Sequence, residues 1–473
     1  MKSKILVGLT AAAAMAATPS AFAQLPQPVP EAAAGFAITP LAVIPVPTAL
    51  AFGPGDEDGP DLYATTLTPG AELPSFPPES VSASGQVVRI SLLWTPAGPL
   101  ATGVSTVATG FNTPLGVVFD DAGIMYVSDS HPGTTGSGRT DGRVTRLDPG
   151  VTQQSAGTVI VEGLPNGRHN TNHLRFGPDG RLYMANGNPN DSGCPPDPNT
   201  GEPDCVGGDR DLFPYSGAVL SVDAAEVSAS PAILHWEDAS GTRIDEDDIA
   251  ADPINADFAA KVNVLAFGFR NVFGVAFAPL GLPFAGTAYT AMNGSDAPPS
   301  QDPLFRIDPG TNYGFPFCFN QGTPGGTGAN VEVVDNPLFV EAGNPLVCGT
   351  VPPATALMGW HVCTTGLDFP TTEASVAADA TFPDDFQSSV FVGECTPFFA
   401  ASLVAQSLAD PENARHNTSH KVARVALDDG GNATEVRDFV TGLVLATDVL
   451  FGPDGAMYVA DAEGILRVAP AGP

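Results

Sequence analysis

Apolar residues along this chain fall in short alternating runs, separated by turns rich in Gly, Pro and Asp. One unit recurs: an apolar strand, a Gly/Pro/Asp turn, then a strand carrying Tyr or another large apolar residue. Its clearest copies are Leu174 to Tyr183, which contains Gly177-Pro178-Asp179-Gly180, and Val449 to Val459, which contains Gly452-Pro453-Asp454-Gly455. Others begin at Leu50 and Gly116, with looser copies at Gly274 and Gly366, six in all. Each Pro-Asp-Gly turn and its alternating flanks predict a hairpin. A further short strand follows each hairpin: Gln86–Ile90, Arg143–Leu147, Ala218–Val222, Leu304–Ile307, Lys421–Val425 and Gly464–Val468. Six small strand units, none able to bury its own face, must stack on one another. A strand-only array that also hides its edges is a β-propeller, so the expectation is an all-β, six-bladed β-propeller. A two-sheet sandwich fits six matched units less well.

The spacing is irregular, with insertions in the third, fourth and fifth units, as on scaffolds that build a binding face from loops. Residues 48–473 form the expected propeller, and the Pro- and Ala-rich residues 24–47 an extended lead-in. Ahead of it, Met1-Lys2-Ser3-Lys4, an apolar run from Ile5 to Ala17 and the small residues near Ala23 read as a signal peptide, residues 1–23. The run is too short to span a bilayer. A periplasmic or secreted protein is expected.

Charge narrows the partners. Against 52 acidic residues stand 19 basic ones, a formal net charge of −33. That argues against nucleic acid, whose phosphates need Lys and Arg, and against an anionic membrane surface. The six cysteines, Cys194, Cys205, Cys318, Cys348, Cys363 and Cys395, suit an oxidising compartment. Sequence cannot choose among their pairings; nearest neighbours are the simplest.

Three stretches carry chemistry. In Arg168-His169-Asn170-Thr171-Asn172-His173, a His at the entry of an inner strand points to the channel mouth, where an imidazole can act as a base. A plain loop His is the alternative. In Gly268-Phe269-Arg270-Asn271-Val272-Phe273-Gly274, an Arg-Asn pair sits in an apolar run. A buried guanidinium needs an anion or several acceptors, so either an internal ion pair or a grip on a developing oxyanion is implied. The third runs from Asn293-Gly294-Ser295-Asp296 through Asp302 to Asn312-Tyr313-Gly314-Phe315-Pro316; its oxygens suit a hard cation such as Ca²⁺, or simply an Asx-rich loop. The acidic Asp245-Glu246-Asp247-Asp248 lacks Ca²⁺-loop spacing and reads as a solvated face.

These motifs, in this order, resemble the glucose/sorbosone dehydrogenase family, the soluble quinoprotein sugar dehydrogenases. The matching stretches are His169 eight residues before Gly177, the Gly-x-Arg-Asn run from Gly268 to Gly274, and Asn312 to Pro316 behind an Asp-x-x-x-x-Ile strand. The resemblance covers Ala49 to the C-terminus. It implies a propeller holding pyrroloquinoline quinone (PQQ) and Ca²⁺ at the channel mouth. His169 would take a substrate hydroxyl proton and Arg270 would stabilise the quinone oxygen, with Asn271 and Asn293 holding the cofactor. Gly294, Ser295 and Asp302 would hold the metal. The partners implied are a small sugar or alcohol and a soluble electron acceptor. Two departures stand out. Asn188 occupies the place of a carboxylate that orients the His, and the fifth-blade stretch His361 to Phe369 lacks the cofactor-binding Lys, with Arg415 or Lys421 as substitutes. Two other readings use the same scaffold: a Ca²⁺-dependent lactonase-type hydrolase using Asp302 and Asp448, and a non-catalytic propeller binding glycans or proteins.

Overall fold

The computed structural model describes residues 29–55, 59–67, 85–132, 140–167, 169–189, 215–242, 244, 248–295, 300–340, 346–360, 362–371, 374–376, 380–395 and 420–471. The signal peptide, the Cys194 and Cys205 pair, and Arg415 lie outside these residues.

Six antiparallel blades form a propeller. The first comprises Pro47–Gly53, Asp61–Thr66, Gly85–Thr95 and Gly98–Phe111. The second comprises Gly116–Phe119, Met125–Pro132, Thr140–Leu147 and Thr158–Pro165. The third comprises Thr171–Phe176, Leu182–Asn186, Ala218–Val222 and Asn263–Phe267. In the fourth, Asn271–Val272 and Ala276–Phe277 together line the inside, followed by Ala288–Asn293, Gln301–Ile307 and Ala356–Trp360. The fifth comprises Thr364–Asp368, Ser389–Glu394, His420–Leu427 and Ala433–Leu443. The sixth takes Asp448–Phe451, Met457–Asp461 and Gly464–Pro470 from the end of the chain. Its outermost strand is Phe36–Ala42, antiparallel to Gly464–Pro470 with Ile38 opposite Val468. Much of the lead-in is thus extended but paired: Glu31–Ala32 also edges the fifth blade, on Ala433–Leu443.

The repeated Tyr has a physical reason. Gly180 (φ 77°) and Gly455 (φ 80°) make the turns, and the Asp before each glycine accepts from the Tyr on the returning strand. Tyr183 donates to Asp179 at 2.9 Å and Tyr458 to Asp454 at 3.2 Å; Tyr126 donates to Asp120 at 3.1 Å in the second blade. Burial, with the adjacent carboxylate, pushes the Tyr126 and Tyr183 phenols up to about 12.

The core is divided among the six seams between blades. Val144 and Ile160 of the second blade pack on Leu182 and Leu220 of the third, for example, and Leu62 and Val88 of the first on Tyr458 and Ile465 of the sixth. Burying one face on each neighbour makes every blade depend on the next. The fourth-blade insertion has its own small cluster around the Cys318–Cys348 disulfide, and Cys363–Cys395 ties two strands of the fifth blade together. Both are nearest-neighbour pairs. Among the described residues, no helix is long and apolar enough to cross a membrane.

Candidate active site

The innermost strands all begin at one end of the channel, and side chains there stitch blade to blade. Thr447 Oγ1 donates to the Pro47 carbonyl, Thr48 Oγ1 to that of Pro114, Ser128 Oγ to that of Asn172, and Asn172 Nδ2 to that of Val272. Thr364 Oγ1 donates to Asn293 Oδ1, and the Gly366 N–H to the Thr447 carbonyl. The bonds run around the whole rim and fix the positions of the loops that enter it.

His169 and Arg270 lie on this rim, immediately before the innermost strands of the third and fourth blades. Both are buried, 6% and 3% exposed. They are joined through one residue. The His169 ring Nδ1 lies 2.5 Å from the Asn188 carbonyl, and the Asn188 N–H donates to the Arg270 carbonyl at 2.6 Å. A carbonyl can only accept, so Nδ1 carries a proton, and in the neutral tautomer Nε2 is the basic nitrogen. The backbone of Asn188 therefore sets the tautomer, while its side-chain amide donates to Ser216 Oγ at 3.3 Å. The absence of a carboxylate at position 188 does not leave the ring unoriented. Gly187 permits this approach: a Cβ there would stand 2.4 Å from His169 Cβ and 2.7 Å from Asn271 Oδ1.

Arg270 is aimed by what precedes it. Gly268 takes a left-handed conformation (φ 78°), and a Cβ on it would lie 2.0 Å from Asn312 Oδ1. The Phe315 N–H donates to the Gly268 carbonyl at 2.8 Å, and Tyr313 stacks on Phe269 with ring centroids 4.9 Å apart. The run from Asn312 to Pro316 thus clamps the loop leading into Arg270, whose Nη1 donates to the Asn293 carbonyl at 3.2 Å. Asn271 pairs with Asn293 across the two strands, and its Oδ1 accepts from Asn172 Nδ2 at 3.1 Å.

Gly294, Ser295 and Asp302 lie beside this group, at the seam with the fifth blade. Asp302 Oδ1 accepts from the Gly294 N–H and Oδ2 from the Cys363 N–H, at 2.7 and 2.8 Å; the Ser295 carbonyl accepts from the Ser300 N–H at 2.9 Å. Lys421 stands at the rim end of the fifth blade, but its ammonium is held by Glu394 (3.3 Å) and Asp438 (2.8 Å), the latter on the outermost strand.

Below the rim the channel is crossed by pairs that the sequence reading did not anticipate, one of them holding Asp448, the lactonase-type candidate. His173 reaches from the third blade to the sixth and first: Nδ1 lies 3.4 Å from Asp448 Oδ1 and Nε2 3.2 Å from the Thr48 carbonyl. Phe273 meets its ring edge-on, centroids 4.8 Å apart. Two residues further along the strand, Arg175 pairs with Asp368 of the fifth blade. Asp448 and Asp368 each also accept backbone N–H groups, from Leu50 and Val449, and from Phe451 and Phe369. Desolvation still holds both carboxyls above their usual range, the opposing His173 and Arg175 charges notwithstanding. The His173 and Arg175 spacing, two apart on a strand, was the available signal, because alternate residues face one way.

No family model matches the sequence, and no curated protein matches it. Solved structures do match. The PQQ-bound aldose sugar dehydrogenase of Streptomyces coelicolor is 15% identical over 93% of this chain and 99% of its own, with a TM-score of 0.51. The holo PQQ domain of pyranose dehydrogenase from Coprinopsis cinerea is 13% identical over 94% and 98%, with a TM-score of 0.57. A calcium structure of a Carbohydrate-Active Enzymes Family AA12 protein from Trichoderma reesei is 13% identical over 95% and 98%, with a TM-score of 0.58. The chain shares its fold with PQQ-dependent sugar dehydrogenases.

The described residues fit the two groups named by those neighbours unequally. The Arg270 guanidinium and the Asn271 amide are donors suited to the carbonyl edge of a planar quinone, and the His169 imidazole beside them is a base suited to a hydroxyl. Calcium needs several hard oxygen donors, commonly six or more. Both Asp302 oxygens and the Ser295 carbonyl already accept backbone N–H groups, and the described residues hold no cluster of three metal-ligating side chains. Among the described residues, these oxygens fall short of that number.

Proposed function

We propose that this protein is a PQQ-dependent oxidoreductase that oxidises a sugar or related alcohol at the rim and passes electrons to a soluble acceptor, outside the cytoplasm. The observation supporting it is the His169–Asn188–Arg270 link, which ties the imidazole through Asn188 to the backbone of the residue that carries the guanidinium. PQQ, when bound, would supply a quinone able to accept the hydride of a carbinol carbon. His169 receives the hydroxyl proton at Nε2, and the Asn188 carbonyl steadies the imidazolium that forms. Arg270 holds an oxygen that gains negative charge, and its own burial strengthens that attraction. Asn271 offers a second donor and fixes orientation. Substrate enters from the rim side, above the His173–Asp448 and Arg175–Asp368 pairs.

The test is a spectroscopic PQQ titration of the purified protein, followed by dye reduction with a panel of aldoses. His169→Ala should abolish turnover and spare PQQ binding, whereas Arg270→Ala should weaken both. Failure of the wild type to bind PQQ ends this reading.

A further inference from the structure

Asp302 is 1% exposed and lies where the fourth blade meets the fifth. The two amides its carboxylate holds belong to different blades. Gly294 follows the strand Ala288–Asn293, and Cys363 precedes Thr364–Asp368. Cys363 is itself fixed: it is disulfide-bonded to Cys395, takes φ 57°, and accepts the Cys395 N–H at 2.9 Å. Thr364, the next residue, holds Asn293 Oδ1 at 2.9 Å. The Asn293–Gly294 turn is therefore gripped at its side chain by Thr364 and at its amide by Asp302. The Asn293 carbonyl, between those two grips, is the atom that receives the Arg270 guanidinium. Gly294 suits this crowded turn, since a Cβ would meet the Gln301 carbonyl at 2.5 Å. Hydrogen bonds to an ionised acceptor are roughly twice as strong as neutral ones, so a carboxylate makes a stiffer brace here than an amide.

We propose that Asp302 is a positioning residue, one that sets the Arg270 guanidinium by bracing the Asn293–Gly294 turn against the disulfide-anchored entry of the fifth blade. This rests on the reading of Arg270 as the group that holds the ligand oxygen. Asp302→Asn preserves volume but replaces one acceptor oxygen with a donor. It should raise the PQQ dissociation constant about tenfold or more in the wild-type background and less than about twofold beside Arg270→Ala, because the two residues act as one unit. Equal fold-changes in both backgrounds would overturn the proposal. A second measurement needs no cofactor: hydrogen exchange in the segments around Gly294, Cys363 and Arg270. Asp302→Asn should speed all three. If wild type binds no PQQ, the quinone reading fails and exchange alone decides; unchanged exchange around Arg270 refutes the brace. Added Ca²⁺ should leave wild-type exchange unaltered. If it slows exchange at Gly294 in wild type but not in Asp302→Asn, Asp302 is a metal ligand and the brace is refuted.

Discussion

Gly187→Ala tests the rim geometry directly. Gly187 is not among the glycines with left-handed φ, so the added methyl should cost little in backbone strain. Its cost is space: the new Cβ would lie 2.4 Å from His169 Cβ and 2.7 Å from Asn271 Oδ1. His169 Cβ sits next to the backbone and cannot swing aside, so the residue must move by roughly 0.6 Å or more to restore even a 3 Å contact. Overpacking of this kind costs about 1–3 kcal/mol. Unfolding entropy near 2.1 cal/mol/K per residue makes that only about 1–3 °C in Tm for a chain of this size. A misplacement approaching 1 Å at reacting groups, by contrast, can cost on the order of 100-fold in rate. The assay is kcat by dye reduction on the PQQ-loaded enzyme, with thermal unfolding alongside. The expected result is a turnover loss of roughly two orders of magnitude with a Tm within a few degrees of wild type. Turnover within about threefold of wild type would show that His169 and Asn271 do not flank Gly187 in the working enzyme. Gly150→Ala is the control: its φ is 88° and nothing lies within 4 Å of its Cβ, so it should lower stability slightly and leave kcat unchanged.

Two further outcomes are expected. Because Asp448 has a raised folded-state pKa, the native protein takes up that proton more readily than the unfolded chain, so this group's contribution to stability falls as pH rises from about 4 through the folded pKa. In urea unfolding, Asp448→Asn should therefore gain on wild type as pH increases over that window, and a gap widening in the opposite direction contradicts the assignment. Phe36 packs against Phe382, Phe386 and Phe439 with centroids 4.7 to 5.0 Å apart, so Phe36→Ala should destabilise by about 2 kcal/mol, less than a fully buried Phe; no change in urea midpoint would mean the strand does not hold the sixth blade.

The six hairpins were legible because each writes its turn locally: Asp179, Gly180 and Tyr183 lie within five residues and close one loop. His169 and Arg270 were legible as candidates for a related reason, each standing at the mouth of an apolar strand. What escaped depends on ring closure. Nothing near His173 or Arg175 in the chain indicates Asp448 or Asp368 as partners, because carboxylates and cations meet only once all the blades are in place. Asn188 misled in a different way. Its side chain invited comparison with a carboxylate, but a backbone carbonyl does the orienting, and backbone groups leave no mark in residue type. Lys421 looked available by charge alone, and Glu394 and Asp438 claim it. Residues 36–42 read as lead-in because their stretch is rich in Pro and Ala, Pro40 among them, and their strand partner lies far along the chain, at Gly464–Pro470.

That partnership dictates an order of events during synthesis. The other five blades lie between Phe36–Ala42 and its partner Gly464–Pro470 in the chain, so the sixth blade cannot exist until both are present. Five blades can pair locally as they emerge, but the circle stays an open arc until Gly464–Pro470 is in place. A product cut short before Gly464 would keep an unlatched arc with two bare sheet edges, the kind of surface that chaperones and proteases recognise.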